Sequence, residues 1–164
     1  METALEHKFE LYSTDDFRKL LDHEIHRARR YGESLSLIHL AVETDSTDPR
    51  AQYGAEIFAI NALNIQVRET DIPCRQGNEF LVLMPSTDEK GARIVSERLE
   101  QLFNIEPQEY DKVSFKLSTF IGMATLPGER SITSKQLTQN AMQALDHAKA
   151  IRSSKTVIFS ELDQ

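Results

Sequence analysis

The sequence predicts an α+β fold, a mainly antiparallel sheet flanked by helices, and three observations carry that reading. Apolar residues recur at helical spacing in some stretches and at strand spacing in others, and the two kinds alternate along the chain. Gln76-Gly77-Asn78, a short Gly/Asn turn between two strand-like runs, reads as a hairpin. The elements from residue 35 to residue 123 follow the order β-α-β-β-α-β, which is that of the ferredoxin-like core. The full expected order is α-β-α-β-β-α-β-α-β. Helices are expected over one face of the sheet, with extra helices at its margins.

The first helix is predicted over residues 14–31, with Phe17, Leu20, Leu21, Ile25, Ala28 and Tyr31 on one face. Ser13, Thr14 and Asp15 are candidate N-caps and Gly32 is the stop. The basic tail His26-Arg27-Ala28-Arg29-Arg30 suits the negative end of a helix dipole. Residues 35–42 are a mostly apolar run, expected as a central strand buried on both faces. A second helix over residues 51–68 has Tyr53, Ile57, Ile60, Leu63 and Val67 as its apolar stripe. Residues 72–75 and 79–84 are the hairpin strands, ended by Pro85. Ser86, Thr87 or Asp88 caps a third helix carrying Ala92, Val95, Leu99, Leu102 and Phe103. From Val113 to Met123 apolar and polar residues alternate, the pattern of one long half-buried antiparallel strand. Pro127-Gly128 is a turn, residues 134–151 are a last helix, and residues 156–159 a short final strand.

Length and composition fit one soluble domain over residues 1–164: 40% of residues are hydrophobic and 27% charged. The formal net charge of -7 argues against a general nucleic-acid or anionic-membrane binder, although it leaves room for a local basic pocket. A lone cysteine, Cys74, excludes an internal disulfide and a zinc-cysteine cluster, and reads as a buried strand residue. The N-terminus has neither a basic region nor a long apolar run, so no membrane insertion and a cytoplasmic location are expected. His23, His39 and His147 have no metal-ligand spacing and read as structural.

Residues 68–85, Arg68-Glu69-Thr70-Asp71-Ile72-Pro73-Cys74-Arg75-Gln76-Gly77-Asn78-Glu79-Phe80-Leu81-Val82-Leu83-Met84-Pro85, resemble the pattern R-x-x-D-x-x-x-R-x-G-G-[DE]-E-F, one residue short after Arg75, and an apolar strand ending in Pro. Arg27-Ala28-Arg29-Arg30-Tyr31-Gly32 with Leu35-Ser36-Leu37, Ser96-Glu97-Arg98-Leu99, Ile121-Gly122-Met123-Ala124, and the series Ala141, Ala144, Leu145, Ala148, Lys149 agree with the same pattern in order and spacing. Over residues 11–159 the chain resembles the GGDEF, or diguanylate cyclase, domain family. That family makes cyclic di-GMP from two GTP, and divalent metal held by carboxylates neutralises the phosphates.

The resemblance also marks what is altered. The first metal carboxylate, the leading Asp of D-x-D, aligns with Ala41 in Ala41-Val42-Glu43, and a methyl group cannot bind a cation. Glu43 keeps only the second acidic position. The third letter of the GGDEF signature is Asn78, followed by Glu79, and only Gly77 of the two glycines remains. The guanine-reading loop is shortened, and Lys149 stands at a phosphate-contact position, where a helix-end role is expected instead. No catalytic residue, no metal ligand and no cofactor are therefore expected.

What the resemblance retains is an inhibitory-type ligand site for the product. Arg68 and Asp71 occupy its R-x-x-D and Arg98 matches its second arginine. A guanidinium stacks on guanine or donates to its O6 and N7, and pairs with phosphate. Asp71 would accept from the guanine N1 and N2 donors. The expectation is a catalytically inactive signalling domain that binds cyclic di-GMP through Arg68, Asp71 and Arg98 and passes the signal to a protein partner or a neighbouring domain. Competing expectations are a nucleotide-independent protein-interaction or homodimerisation module, and residual cyclase or GTP-sensing activity.

Overall fold

The computed structural model describes residues 11–104, 107–126 and 132–162. The expected Pro127-Gly128 turn and the N-terminal residues lie outside them. Helix α1 (Thr14–Tyr31) keeps its predicted bounds: Ser13 accepts from the Asp16 amide at its start, and Gly32 ends it at φ +66°. Phe17, Leu21, Ile25 and Ala28 are buried, while Tyr31 is 62% exposed and does not join the inward face. Strand β1 (Leu35–Thr44) leads to helix α2 (Pro49–Gln66), capped by Asp48. Strands β2 (Ile72–Gln76) and β3 (Glu79–Pro85) form the hairpin, and helix α3 (Glu89–Phe103), capped by Asp88, follows. Strands β4 (Gln108–Tyr110), β5 (Val113–Phe115) and β6 (Leu117–Leu126) precede helix α4 (Ser134–Ala150), strand β7 (Val157–Ile158) and one 3-10 turn.

The central sheet runs β2-β3-β1-β6-β7, antiparallel except for the β6–β7 pair. Within it β2-β3-β1-β6 is the ferredoxin-like arrangement expected from the element order. Side chains of opposite parity on β1 feed two separate cores. Leu35 and Leu37 pack with Phe17 and Leu21 of α1 and Leu137 of α4. Ile38 and Leu40 pack with Leu63 of α2 and Leu99 of α3. Helices thus cover both faces of the sheet, where the sequence reading put them on one; β1 is buried on both sides, as its unbroken apolar run predicts.

Two further differences matter for function. The alternating run 113–123 is two strands, since Lys116 separates β5 from β6, and residues 119–124 of β6 are buried without a break. Strand β5 pairs instead with β4 in a separate two-stranded sheet lying on α2. And α2 turns a different face inward: its buried residues are Ala51, Gly54, Ala55, Ala59, Ala62 and Leu63. Of the predicted stripe only Leu63 is fully buried; Ile57, Ile60 and Val67 are half-buried and Tyr53 is exposed. Small side chains let the helix lie close against its neighbours, and Phe58, Ile60 and Val67 pack against the core while still partly exposed. No helix among the described residues is long and apolar enough to cross a membrane.

Candidate functional site

The hairpin places two sets of residues at opposite ends of β2 and β3. At the turn, Gln76 pairs with Glu79 across a two-residue loop, and Gly77 has φ +65°. A positive φ at the first loop position alone fits a type II′ turn, which glycine adopts without strain. Beside it lies an open cavity of about 400 Å³, lined in part by Glu43, Ser46, Gln52, Glu56 and Asn78. Its carboxylates are engaged: Glu56 pairs with Arg75 at 2.9 Å, and Glu43 Oε1 accepts from Arg152 at 3.3 Å. Ala41 does not line this cavity. It is 5% exposed and packs against Phe120, Leu145 and Ala148. The donors here are two exposed amides, Gln52 and Asn78, the hydroxyls of Thr44, Ser46 and Thr47, and two ion-paired carboxylates, which do not fit a carboxylate-held divalent cation. Among the described residues no group of three His, Cys, Asp or Glu side chains is arranged to hold a metal ion.

Glu79 points to the other face of the sheet, under α4. Its Oε1 lies 2.8 Å from His39 Nε2 and its Oε2 lies 2.6 Å from Lys149 Nζ. His39 has no exposed surface. Burial lowers its pKa below the ordinary 6.5, against the opposing pull of Glu79. Burial acts to raise the Glu79 pKa, but hydrogen bonds and charge from Lys149 and His39 outweigh it and the net shift is downward. Lys149 is therefore one end of a three-residue cluster. Sequence reasoning missed this cluster; the one signal for it was a histidine inside an otherwise apolar strand.

At the far end of the hairpin Arg68 and Asp71 meet. Asp71 Oδ2 accepts from the Arg68 backbone N–H at 2.9 Å, and Oδ1 accepts from Arg68 Nη2 at 3.0 Å. Nη2 also donates to Pro85 O at 3.2 Å and to Thr87 Oγ1 at 2.5 Å. The Asp71 side chain is 1% exposed, while that of Arg68 is 55% exposed and borders an open cavity of about 460 Å³ with Glu33, Ser34, Ser86, Thr87, Asp88 and Gly91. Asp71 thus spends its oxygens on fixing Arg68 and the start of the hairpin. Arg98 is exposed on α3, outside that cavity. Seven residues separate it from Gly91, about 10 Å along the helix. The structure brings Arg68 and Asp71 together and leaves Arg98 apart.

A hairpin at one edge of a doubly covered, mainly antiparallel sheet, with R-x-x-D at one end and a glycine turn at the other, is the arrangement expected of the domain family that the sequence resembles. The family profile described as "Diguanylate cyclase, GGDEF domain" matches residues 9–155, and the chain belongs to that family. The GGDEF-only fragment of TpbB (YfiN) from Pseudomonas aeruginosa superposes with a TM-score of 0.77 at 21% identity, over 96% of this chain and 94% of that one. The diguanylate cyclase SiaD from the same organism, solved with its activator SiaC, gives 0.76 at 24% identity over 90% of this chain, which spans 58% of the SiaD chain. The GGDEF domain of DgcB from Caulobacter crescentus, solved with c-di-GMP, gives 0.76 at 14% identity over 92% of each chain. A search of the curated proteins finds no match.

Proposed function

We propose that this GGDEF domain does not synthesise cyclic di-GMP but reads it, through a site centred on Arg68. The observation that carries the reading is the way Arg68 is held. Asp71, Thr87 and the Pro85 carbonyl fix its guanidinium, yet more than half of the side chain stays open to solvent beside a cavity. A guanidinium fixed before binding loses little freedom when it engages a guanine edge or a phosphate. In this reading Arg68 is the contact to the ligand and Asp71 is its positioning residue, while Arg98, expected from the sequence as a third contact, stands outside that cavity on α3. The donor set beside the glycine turn supports the other half of the proposal, because its two carboxylates, Glu43 and Glu56, are already ion-paired with arginines and do not offer what phosphoryl transfer with Mg²⁺ requires.

Titration calorimetry with cyclic di-GMP is the test. The wild-type domain releases or absorbs heat with a saturable isotherm. Arg68→Ala removes a charge-assisted contact of about 1.5–3 kcal/mol and weakens binding about ten- to a hundredfold. Absence of any isotherm with the wild-type domain overturns the reading. A GTP turnover assay with Mg²⁺ or Mn²⁺ is expected to show no cyclic product, and product formation would restore the cyclase assignment. The competing reading, an interaction module that binds no nucleotide, is favoured by one specific observation: Ile65, a large apolar side chain left 70% exposed on α2.

A further inference from the structure

We infer that the cavity beside Arg68 reads the hydrogen-bonding edge of a guanine base, with Glu33 taking the acceptor role that Asp71 cannot fill. The inference rests on the ligand reading above; it names which part of the ligand enters the cavity and which residue selects it.

Asp71 is buried, and both of its oxygens are held by Arg68. The carboxylate that lines the cavity with an oxygen to spare is Glu33, in the link between α1 and β1. Its backbone N–H donates to the Ala28 carbonyl at 2.9 Å and fixes the chain there. Its Oε2 accepts from Ser86 Oγ at 2.7 Å and pairs with Arg27 at 3.3 Å, whereas Oε1 has no partner among the described residues. Asp88, the other carboxylate on the cavity, caps α3 by accepting from the Gly91 N–H.

One short segment holds both the cation and the carboxylate. Pro85 O and Thr87 Oγ1 accept from Arg68 Nη2, and Ser86 between them donates to Glu33. Ser86 has φ +51°, a left-handed conformation that serine seldom adopts. The next residue is tied down from inside the fold, where the buried Ser36 hydroxyl donates to the Thr87 carbonyl at 2.8 Å. Arg68 Nη1 makes no hydrogen bond among the described residues. The cavity is thus offered a guanidinium nitrogen with free protons and a carboxylate oxygen with free lone pairs, set from adjacent anchors.

Charge selects the base over the phosphate. Among the described residues that line the cavity Arg68 is the only cation, and Asp71 already neutralises it, while Glu33 and Asp88 add negative charge. A phosphate meets net repulsion there. A guanine edge does not. It presents O6 as an acceptor next to N1–H and N2–H as donors, which match Arg68 Nη1 and Glu33 Oε1. Adenine reverses both positions: its amine faces the guanidinium and its N1 lone pair faces the carboxylate. The phosphates of a cyclic dinucleotide then lie outside this cavity.

Titration calorimetry of the full chain with cyclic di-GMP and with cyclic di-AMP tests this. The wild-type protein is expected to prefer the guanine dinucleotide by about tenfold or more. In Glu33→Gln the one amide oxygen stays with Ser86 and Arg27, so an N–H turns toward the base. That variant is expected to bring the two affinities within about threefold, at an unchanged melting temperature. Ser86→Gly removes the hydroxyl at a backbone position that glycine adopts without strain, and is expected to narrow the preference in a protein that folds normally. Excess inorganic phosphate at constant ionic strength is expected to leave cyclic di-GMP binding unchanged, and displacement by phosphate overturns the assignment of the base. A wild-type protein that binds neither dinucleotide overturns the ligand reading, and this inference with it. Binding of cyclic di-GMP with a preference that both variants leave intact overturns the role of Glu33 and spares the ligand reading.

Discussion

His39 is held neutral by its surroundings. With Nε2 donating to Glu79, Nδ1 is left as a buried acceptor with no partner, and protonation would turn it into a buried donor with none. The groups facing the ring are Glu79 on β3 and Lys149 and Asp146 on α4; the two acids favour the proton, Lys149 opposes it, and burial decides. A histidine whose folded pKa lies below its unfolded value binds its proton more readily in the unfolded chain. Its contribution to stability is then whole above pH 6.5 and declines as pH falls below that value. Thermal melts between pH 7.5 and 5.5 are expected to show this decline, and His39→Leu is expected to flatten it. Equal pH dependence in both proteins would assign the effect elsewhere. Glu79 acts lower: its depressed pKa contributes stability above about 4.5, lost as pH falls through its folded value. Cys74 gives a sharper residue-scale outcome. Burial pushes its thiol up to about 11, against a weaker opposing hydrogen bond from Thr14. At pH 8 the folded protein holds roughly a thousandth of it as thiolate, and a thiol reagent is expected to react only after urea unfolding.

At the scale of elements, the places where sequence and structure agree or part have identifiable causes. Helix α1 was legible because its cap, its apolar face and its glycine stop all point the same way. Helix α2 has apolar residues all round, so periodicity names no inward face, and alanines took the sheet side because only they allow close approach. Strand β4 has one aromatic residue among Gln108, Glu109 and Tyr110. Its turn, Asp111-Lys112, lacks glycine although both residues have positive φ, at 50° and 64°. The turn signal that would have revealed the hairpin is absent from the sequence. Lys112→Gly is therefore expected to stabilise the protein by about 0.5–1 kcal/mol in urea unfolding, because a lysine strains that backbone and glycine does not. Gly122 is the opposite case. A Cβ there would stand 2.2 Å from the Leu145 backbone nitrogen and 2.5 Å from the Ala141 carbonyl oxygen, so α4 rests directly on β6. Gly122→Ala is expected to force the two apart, at a cost of about 1–3 kcal/mol in the same measurement.

Across the whole molecule, the candidate site was legible only where it is local in sequence. Arg68 and Asp71 are three residues apart and could be read as a pair; that Asp71 turns inward depends on the approach of Pro85 and Thr87 from the end of β3. The His39, Glu79 and Lys149 cluster needs three elements and has no linear signature. Stability linkage tests the ligand reading on the whole chain. A ligand that binds only the folded chain stabilises it by about 2.7 kcal/mol at a hundred times its dissociation constant. For a chain of this size that is a rise in melting temperature of roughly 5–10 °C. Cyclic di-GMP is expected to give such a rise in the wild-type protein. Arg68→Ala is expected to lose most of it. GTP with Mg²⁺ is expected to give none, because the cavity beside Gly77 presents Asn78 and ion-paired carboxylates to a metal nucleotide. A rise with GTP and Mg²⁺ that survives Arg68→Ala would move the ligand to the glycine turn.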